Sequence, residues 1–159
     1  CSNALAPSWL AALSSASLEL RTLLHGALLD LRELHGAARQ LCGKTGCEVD
    51  VAVAGGATRL SWVSRGLTAA DGCTLGTLLR GGAWPKLTVL NLFDNALGDE
   101  GCAALADASR EARVLPRLEK LMLNQNAIGD GGAAALAAAL ALGALKALRE
   151  LDFKYNSIG

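Results

Sequence analysis

Between residues 87 and 159 the leucines return in a fixed grouping. Leu87, Leu90 and Leu92 are followed by Asn95 and Leu97-Gly98. Leu118, Leu121 and Leu123 are followed by Asn126 and Ile128-Gly129, and Leu148, Leu151 and Phe153 by Asn156 and Ile158-Gly159. The shared pattern is L-x-x-L-x-L-x-x-N-x-L/I-G. Leu90 and Leu92 alternate with Asn91 and Phe93, the period of two that marks a strand with one buried face. A weaker copy runs from Leu60 to Leu67 and has Arg65 where the others have asparagine. The steps from Leu60 to Leu90, Leu121 and Leu151 are 30, 31 and 30 residues, and Trp84-Pro85-Lys86-Leu87 returns 31 residues later as Leu115-Pro116-Arg117-Leu118. Such a step holds one strand, one helix of about 12 residues and two short turns. Parallel strands centred on those four leucines are predicted, each but the last followed by a helix.

The polar positions fit the same scheme. Asn95, Asn126 and Asn156 fall where the strand must turn, and a side-chain amide there can satisfy backbone groups that the turn leaves unpaired. Stacked copies would form an asparagine ladder. Asp99 and Asp130 fall at helix starts, where a carboxylate is expected to accept the orphan N–H groups of its own helix. Cys102 to Leu105 and Ala133 to Leu136 open these helices, and residues 133–142 are entirely alanine and leucine. Small side chains let neighbouring helices approach closely. One unit cannot bury both its strand face and its helix face, so the stack is the folding unit.

These residues resemble the leucine-rich repeat family, in its long ribonuclease-inhibitor-like subtype, over about residues 57–159. The resemblance implies an α/β solenoid, with parallel strands on one concave face and helices on the other. It also implies a protein-binding scaffold without catalytic activity.

The amino-terminal third reads differently. Residues 8–42 are predicted helical, with Ser8 after Pro7 as the start, and Gly26 and Gly36 as points where the helix could break. Leu10, Leu13, Leu20, Leu24, Leu31, Leu34 and Leu41 keep heptad spacing, which suits a coiled-coil arm. Leu18, Leu23, Leu28 and Leu29 widen the apolar stripe, which favours a cap packed on the first repeat. Residues 48–53 alternate and are predicted to form a strand. The five residues that separate it from the next repeat are too few for a parallel crossover, which needs about a dozen, so an antiparallel edge strand is expected. The division is therefore 1–47, a helical cap, and 48–159, the edge strand plus about four repeats, the last truncated.

Composition narrows the function classes. Leu supplies 32 residues and Ala 30, against 8 Val plus Ile, so the chain is helix-rich and unlike a β-sandwich. Lys plus Arg and Asp plus Glu are 15 each. Basic residues are scattered among acidic ones along the chain, which argues against nucleic acid as a partner. The charge-free stretch from Gly131 to Leu145 has 15 residues, short of the roughly 20 a bilayer needs, so no transmembrane segment is predicted. The chain opens on Cys1, which lipoprotein processing would leave; Ser2-Asn3-Ala4 suits an expression remnant, which a cysteine in front of it fits poorly. The five cysteines, at 1, 42, 47, 73 and 102, are odd in number and irregular in spacing. They read as reduced, buried thiols in an intracellular, cytoplasmic or organellar setting. Cys42 and Cys47 could pair, or join His35 on a metal, but no fourth ligand is placed nearby. Gly43-Lys44-Thr45 lacks the earlier glycine of a phosphate loop and follows a helix rather than a strand. His25 and His35, ten apart, read as flank residues. No cofactor or metal is expected and no catalytic constellation is found.

The candidate site is therefore the set of outward strand positions, which fall in four rows: Arg59, Val89, Lys120, Glu150; Ser61, Asn91, Met122, Asp152; Val63, Phe93, Asn124, Lys154; and Ser64, Asp94, Gln125, Tyr155. Folding asks for no particular residue at these places, so Phe93, Met122 and Tyr155 stand out as anchors ringed by mixed charge. The partner-binding candidates are Asn91, Phe93, Asp94, Lys120, Met122, Asn124, Gln125, Glu150, Asp152, Lys154 and Tyr155. The expected function is a protein-protein interaction scaffold. The alternatives are an accessory subunit of a large assembly, held by its amino-terminal helices, or a regulator of an enzyme such as a small GTPase. The pattern stops at Ile158-Gly159, where earlier copies continue with Asp and a helix. Further repeats, a cap or a partner are expected against the Leu151 unit.

Overall fold

Leu60, Leu90, Leu121 and Leu151 stand side by side. In the computed structural model, which describes residues 35–36, 38–46 and 56–159, each centres a short strand: β1 (Arg59–Ser61), β2 (Val89–Asn91), β3 (Lys120–Met122) and β4 (Glu150–Asp152). The four form one parallel sheet in the order β1-β2-β3-β4. The register pairs Leu60 with Leu90, Leu90 with Leu121, and Leu121 with Leu151. Each of the first three strands is followed by a 12-residue helix: α1 (Ala69–Arg80), α2 (Gly98–Ser109) and α3 (Asp130–Ala141). This is the leucine-rich-repeat α/β solenoid that the resemblance implies, with the strand and helix in each 30- or 31-residue step.

The core is built in columns. Leu60, Leu90 and Leu121 form one, Trp62, Leu92 and Leu123 the next, and Leu67, Leu97 and Ile128 a third; all are buried. Leu75, Leu105 and Leu136 close on them from α1, α2 and α3. Full burial of each such side chain contributes about 1.5–3 kcal/mol. The fourth unit departs from this: Leu151 is 39% exposed and Ile158 49%, against 4% and 0% for Leu121 and Ile128 in the unit before.

Small residues set how closely the helices stack. A Cβ on Gly72 of α1 would lie 2.7 Å from Gly101 Cα of α2, and one on Gly76 would lie 2.8 Å from the Ala104 carbonyl oxygen. The backbones of α1 and α2 are thus near contact, as the alanine- and glycine-rich helices lead one to expect.

The connections from helix to strand repeat one turn. Trp84, Leu115 and Leu145 take positive φ of 54°, 48° and 50°. Leu87, Leu118 and Leu148 then donate their N–H groups back to the carbonyls of those residues. Trp84 is buried and meets Trp62 edge-on, ring centroids 5.7 Å apart. Trp62 holds the place that Leu92 and Leu123 fill in the later units.

The chain divides into two compact units, 1–36 and 37–159. Of the first, residues 35 and 36 are described, both helical. In the second, residues 38–45 are helical, three residues beyond the predicted end at 42, and Leu41 enters the core of the repeats. Lys44 forms an ion pair of 2.5 Å with Asp71 of α1. Gly43-Lys44-Thr45 is therefore the end of a helix, and Thr45 donates its hydroxyl to the Leu41 carbonyl. The rest of the predicted 8–42 helix, His25, Cys1, Cys47 and the expected strand over 48–53 lie outside the described residues.

Candidate functional site

The outward strand positions occupy the four rows that the repeat pattern implies. Arg59, Val89, Lys120 and Glu150 are register partners, as are Ser61, Asn91, Met122 and Asp152. Backbone bonds carry the register on: the Ser64 N–H donates to the Phe93 carbonyl, that of Asp94 to Asn124, and that of Gln125 to Lys154. Phe93 and Asn124 thus lie in one row, with Met122 diagonal to Phe93. Asn91, Phe93, Met122, Asn124 and Asp152 are half-buried; Asp94, Lys120, Gln125, Glu150, Lys154 and Tyr155 are exposed, Tyr155 by 79%.

Several of these side chains are already engaged. Lys120 pairs with Glu150 at 2.6 Å across β3 and β4. Oδ1 of Asn91 accepts the Phe93 N–H (3.0 Å), and Oδ1 of Asp152 accepts that of Lys154 (3.2 Å). One side-chain oxygen thus braces the strand end in two units. Asp94 accepts the Ser64 hydroxyl.

The fourth row corrects the expectation that these positions are indifferent to folding. Ser64, Asp94, Gln125 and Tyr155 have φ of 53°, 56°, 53° and 56°. Each strand ends by stepping into the left-handed region. That conformation costs an L-residue about 1–2 kcal/mol and is readily visited by glycine, asparagine and aspartate alone. Asp94 suits it. Gln125 and Tyr155 do not, and are held there by the turn that follows.

That turn is the asparagine ladder. Asn95 Oδ1 accepts the N–H groups of Arg65 (3.1 Å) and Leu67 (2.9 Å) in the unit before, and its Nδ2 donates to the carbonyls of Trp62, Leu92 and Phe93. Asn156 repeats the scheme on Asn126 and Ile128. Asn126 departs from it. Its Nδ2 donates to Leu92 and Asn124, but its Oδ1 is buried without a partner among the described residues.

Asp99 and Asp130 do not cap their own helices. Capping requires a residue with extended backbone ahead of the first turn, whereas Asp99 is the second residue of α2 and Asp130 the first of α3. Their carboxylates reach across the stack instead. Asp99 Oδ1 accepts the Gly129 N–H of the next unit at 2.6 Å, and Asp130 Oδ1 accepts that of Gly159 at 3.2 Å. Glycine at 131 leaves the room: a Cβ there would lie 2.9 Å from Asp99 Oδ2. Only α1 caps itself. Asp71 accepts both the N–H and the hydroxyl of Thr68, each at 2.8 Å, as well as Lys44. Burial pushes the Asp71 carboxyl up, but the Lys44 and Thr68 hydrogen bonds and the Lys44 charge outweigh it and hold it below its ordinary 3.8.

Of the cysteines expected to be buried, Cys42 and Cys102 are, but Cys73 faces solvent on α1. Burial, with the Asp99 charge beside it, pushes the Cys102 thiol up to about 11. Among the described residues no cluster of three or more His, Cys, Asp or Glu side chains could hold a metal ion, and no helix is long and apolar enough to cross a membrane. Lys86, Arg117, Lys146 and Arg149 lie on the connections from helix to strand, among Glu111 and Glu119. The signal was present in the 31-residue return of Lys86 as Arg117.

No curated protein matches the chain. Residues 85–106 and 115–137 match the Leucine Rich repeat family. The first match runs from the loop before β2 into α2 and the second from the loop before β3 into α3, so two of the four units are similar to that family's repeat.

Proposed function

We propose that this chain is a non-catalytic protein-protein interaction scaffold of the long, ribonuclease-inhibitor-like kind, and that it binds its partner on the strand face. The observation that carries the reading is the pair Phe93 and Met122. Two large apolar side chains sit diagonally on a face whose inward neighbours already complete the core, half-buried and flanked by polar and charged residues. A central apolar anchor with a polar rim is the usual anatomy of a protein-binding patch. Leucine-rich repeats generally present their strand side as an extended binding surface. Asn124, Gln125, Lys120 with Glu150, Asp152, Lys154 and Tyr155 supply the rim in this reading, and Asn91 and Asp94 its other side. Residues 38–45 act as an amino-terminal cap, a role supported by the burial of Leu41 and the Lys44–Asp71 pair.

The test is site-specific photo-cross-linking from position 124 in a cell extract, with the same cross-linker at Ala134 on the outer side of α3 as control. Products formed from position 124 and lost in Phe93→Ala/Met122→Ala are expected. A partner captured equally from Ala134, and unaffected by the double substitution, would overturn the reading.

A further inference from the structure

We infer that the edge of the solenoid where helices lead into strands is a docking strip for an acidic segment of a protein partner. Three connections form this edge: residues 81–88, 110–119 and 142–149. The strand register and the shared turn at Trp84, Leu115 and Leu145 keep these connections in step. Lys86 therefore stands in line with Arg117, Arg149 with Glu119, and Lys146 with Pro116.

The charges on this edge are unevenly spent. Arg110 is paired with Asp107 at 3.5 Å and Arg113 with Glu111 at 2.9 Å. Lys86, Arg117, Lys146 and Arg149 are exposed and make no ion pair or side-chain hydrogen bond among the described residues. Glu119 is the one carboxylate on the edge left to face them. The opposite edge, where strands lead into helices, carries Asp94, Asp99, Glu100 and Asp130 against Arg65 and Lys154. Among the described residues the repeats thus carry a basic edge and an acidic edge.

Helix polarity accounts for the acidic edge. The helices run parallel, and their amino-terminal ends favour carboxylates in the first turn. It does not account for the basic one, because the influence of the carboxyl-terminal pole ends within the last turn. The four cations lie past the helix caps, on the approach to the next strand. No fold requirement fixes them, since none has an internal partner. Cations without internal partners, Lys86 and Arg117 in one row and Lys146 and Arg149 on the next connection, are what a carboxylate-bearing surface would complement, steering association and register. A nucleic acid fits less well, because the aromatic ring on these connections, Trp84, is buried and offers no base a stacking platform.

The strip is separate from the strand face, so its test is separate. The full chain would be titrated into a labelled oligoglutamate peptide and followed by fluorescence anisotropy over a salt series. A labelled oligouridylate of equal charge would be run in parallel. Binding that weakens with salt is expected, together with a loss of about tenfold or more in K86Q/R117Q/K146Q/R149Q and none in Phe93→Ala/Met122→Ala. The four substitutions touch no internal contact and should leave the melting temperature unchanged. Should they lower it, the pair K86Q/R117Q reads the same effect. The inference fails if the peptide does not bind at low salt, if the four-glutamine chain binds it equally well, or if oligouridylate binds more tightly than the peptide.

Discussion

Asn126 is fully buried and Asn95 is not, yet Asn95→Ala should be the more damaging substitution. Asn95 holds five hydrogen bonds. Its loss strips the Leu67 N–H and the Trp62 carbonyl of that amide, and both residues are at most 2% exposed, so water cannot replace it. Two buried groups left unsatisfied at about 1–3 kcal/mol each give a cost of about 3 kcal/mol. Asn126→Ala leaves less behind. The Leu92 carbonyl keeps the Asn95 amide, the Asn124 carbonyl keeps the Asp94 N–H, and an Oδ1 that had no partner is removed. About 1 kcal/mol is the expected cost. The difference of about 2 kcal/mol corresponds to a separation of about 4–8 °C in melting temperature. Urea titration followed by circular dichroism would measure it, with the slope compared between variants because repeat stacks can lose cooperativity. If Asn126→Ala costs as much as Asn95→Ala or more, burial and not hydrogen-bond accounting governs the ladder.

Further expectations follow from the same geometry. Leu121→Ala should cost about 2–5 kcal/mol, since it empties a buried position between Leu90 and Leu151, whereas Met122→Ala on the other face should cost about 0.5 kcal/mol. Equal losses in thermal melting would reverse the assignment of faces. Asp71 titrates below its ordinary value in the folded chain, so its contribution is complete above the unfolded value near 3.8 and is lost as pH falls through the lowered one. Asp71→Asn should therefore lower stability at neutral pH and flatten the acid limb of the stability profile; a parallel downward shift at every pH would contradict this. At pH 8 iodoacetamide should label Cys73 in the native chain and spare Cys102, whose thiol is buried and pushed up to about 11. Mass spectrometry showing equal labelling of the two would mean that α2 opens far more readily than its packing implies.

The parts of this fold that are legible in the sequence are those whose signal lies within one repeat. Leucine and asparagine spacing is enough to set the strand register, because a slip of one residue would turn Leu90 and Leu92 to solvent and Asn91 and Phe93 to the core. What escaped the sequence lies between repeats or in backbone conformation. The Asp99 carboxylate caps the turn at Gly129, 30 residues away. Nothing about an aspartate near a helix start says whether it will serve its own helix or the next. Positive φ at Trp84, Leu115, Leu145, Gln125 and Tyr155 is equally hidden, because these are not residue types that announce a left-handed turn. They adopt it because the stack fixes both ends of each connection. This bears on the candidate site. The repeat pattern marks Gln125 and Tyr155 as positions the fold leaves indifferent, yet the fold strains them. Asn91 and Asp152 fall on the same outward rows, yet each spends an oxygen on the strand end. Phe93, Met122, Asn124 and Lys154 have neither a strained backbone nor a side-chain hydrogen bond of their own, and of these the first three are half-buried while Lys154 is exposed. Of the eleven positions, it is those at the centre of the face where a substitution changes the surface and little else.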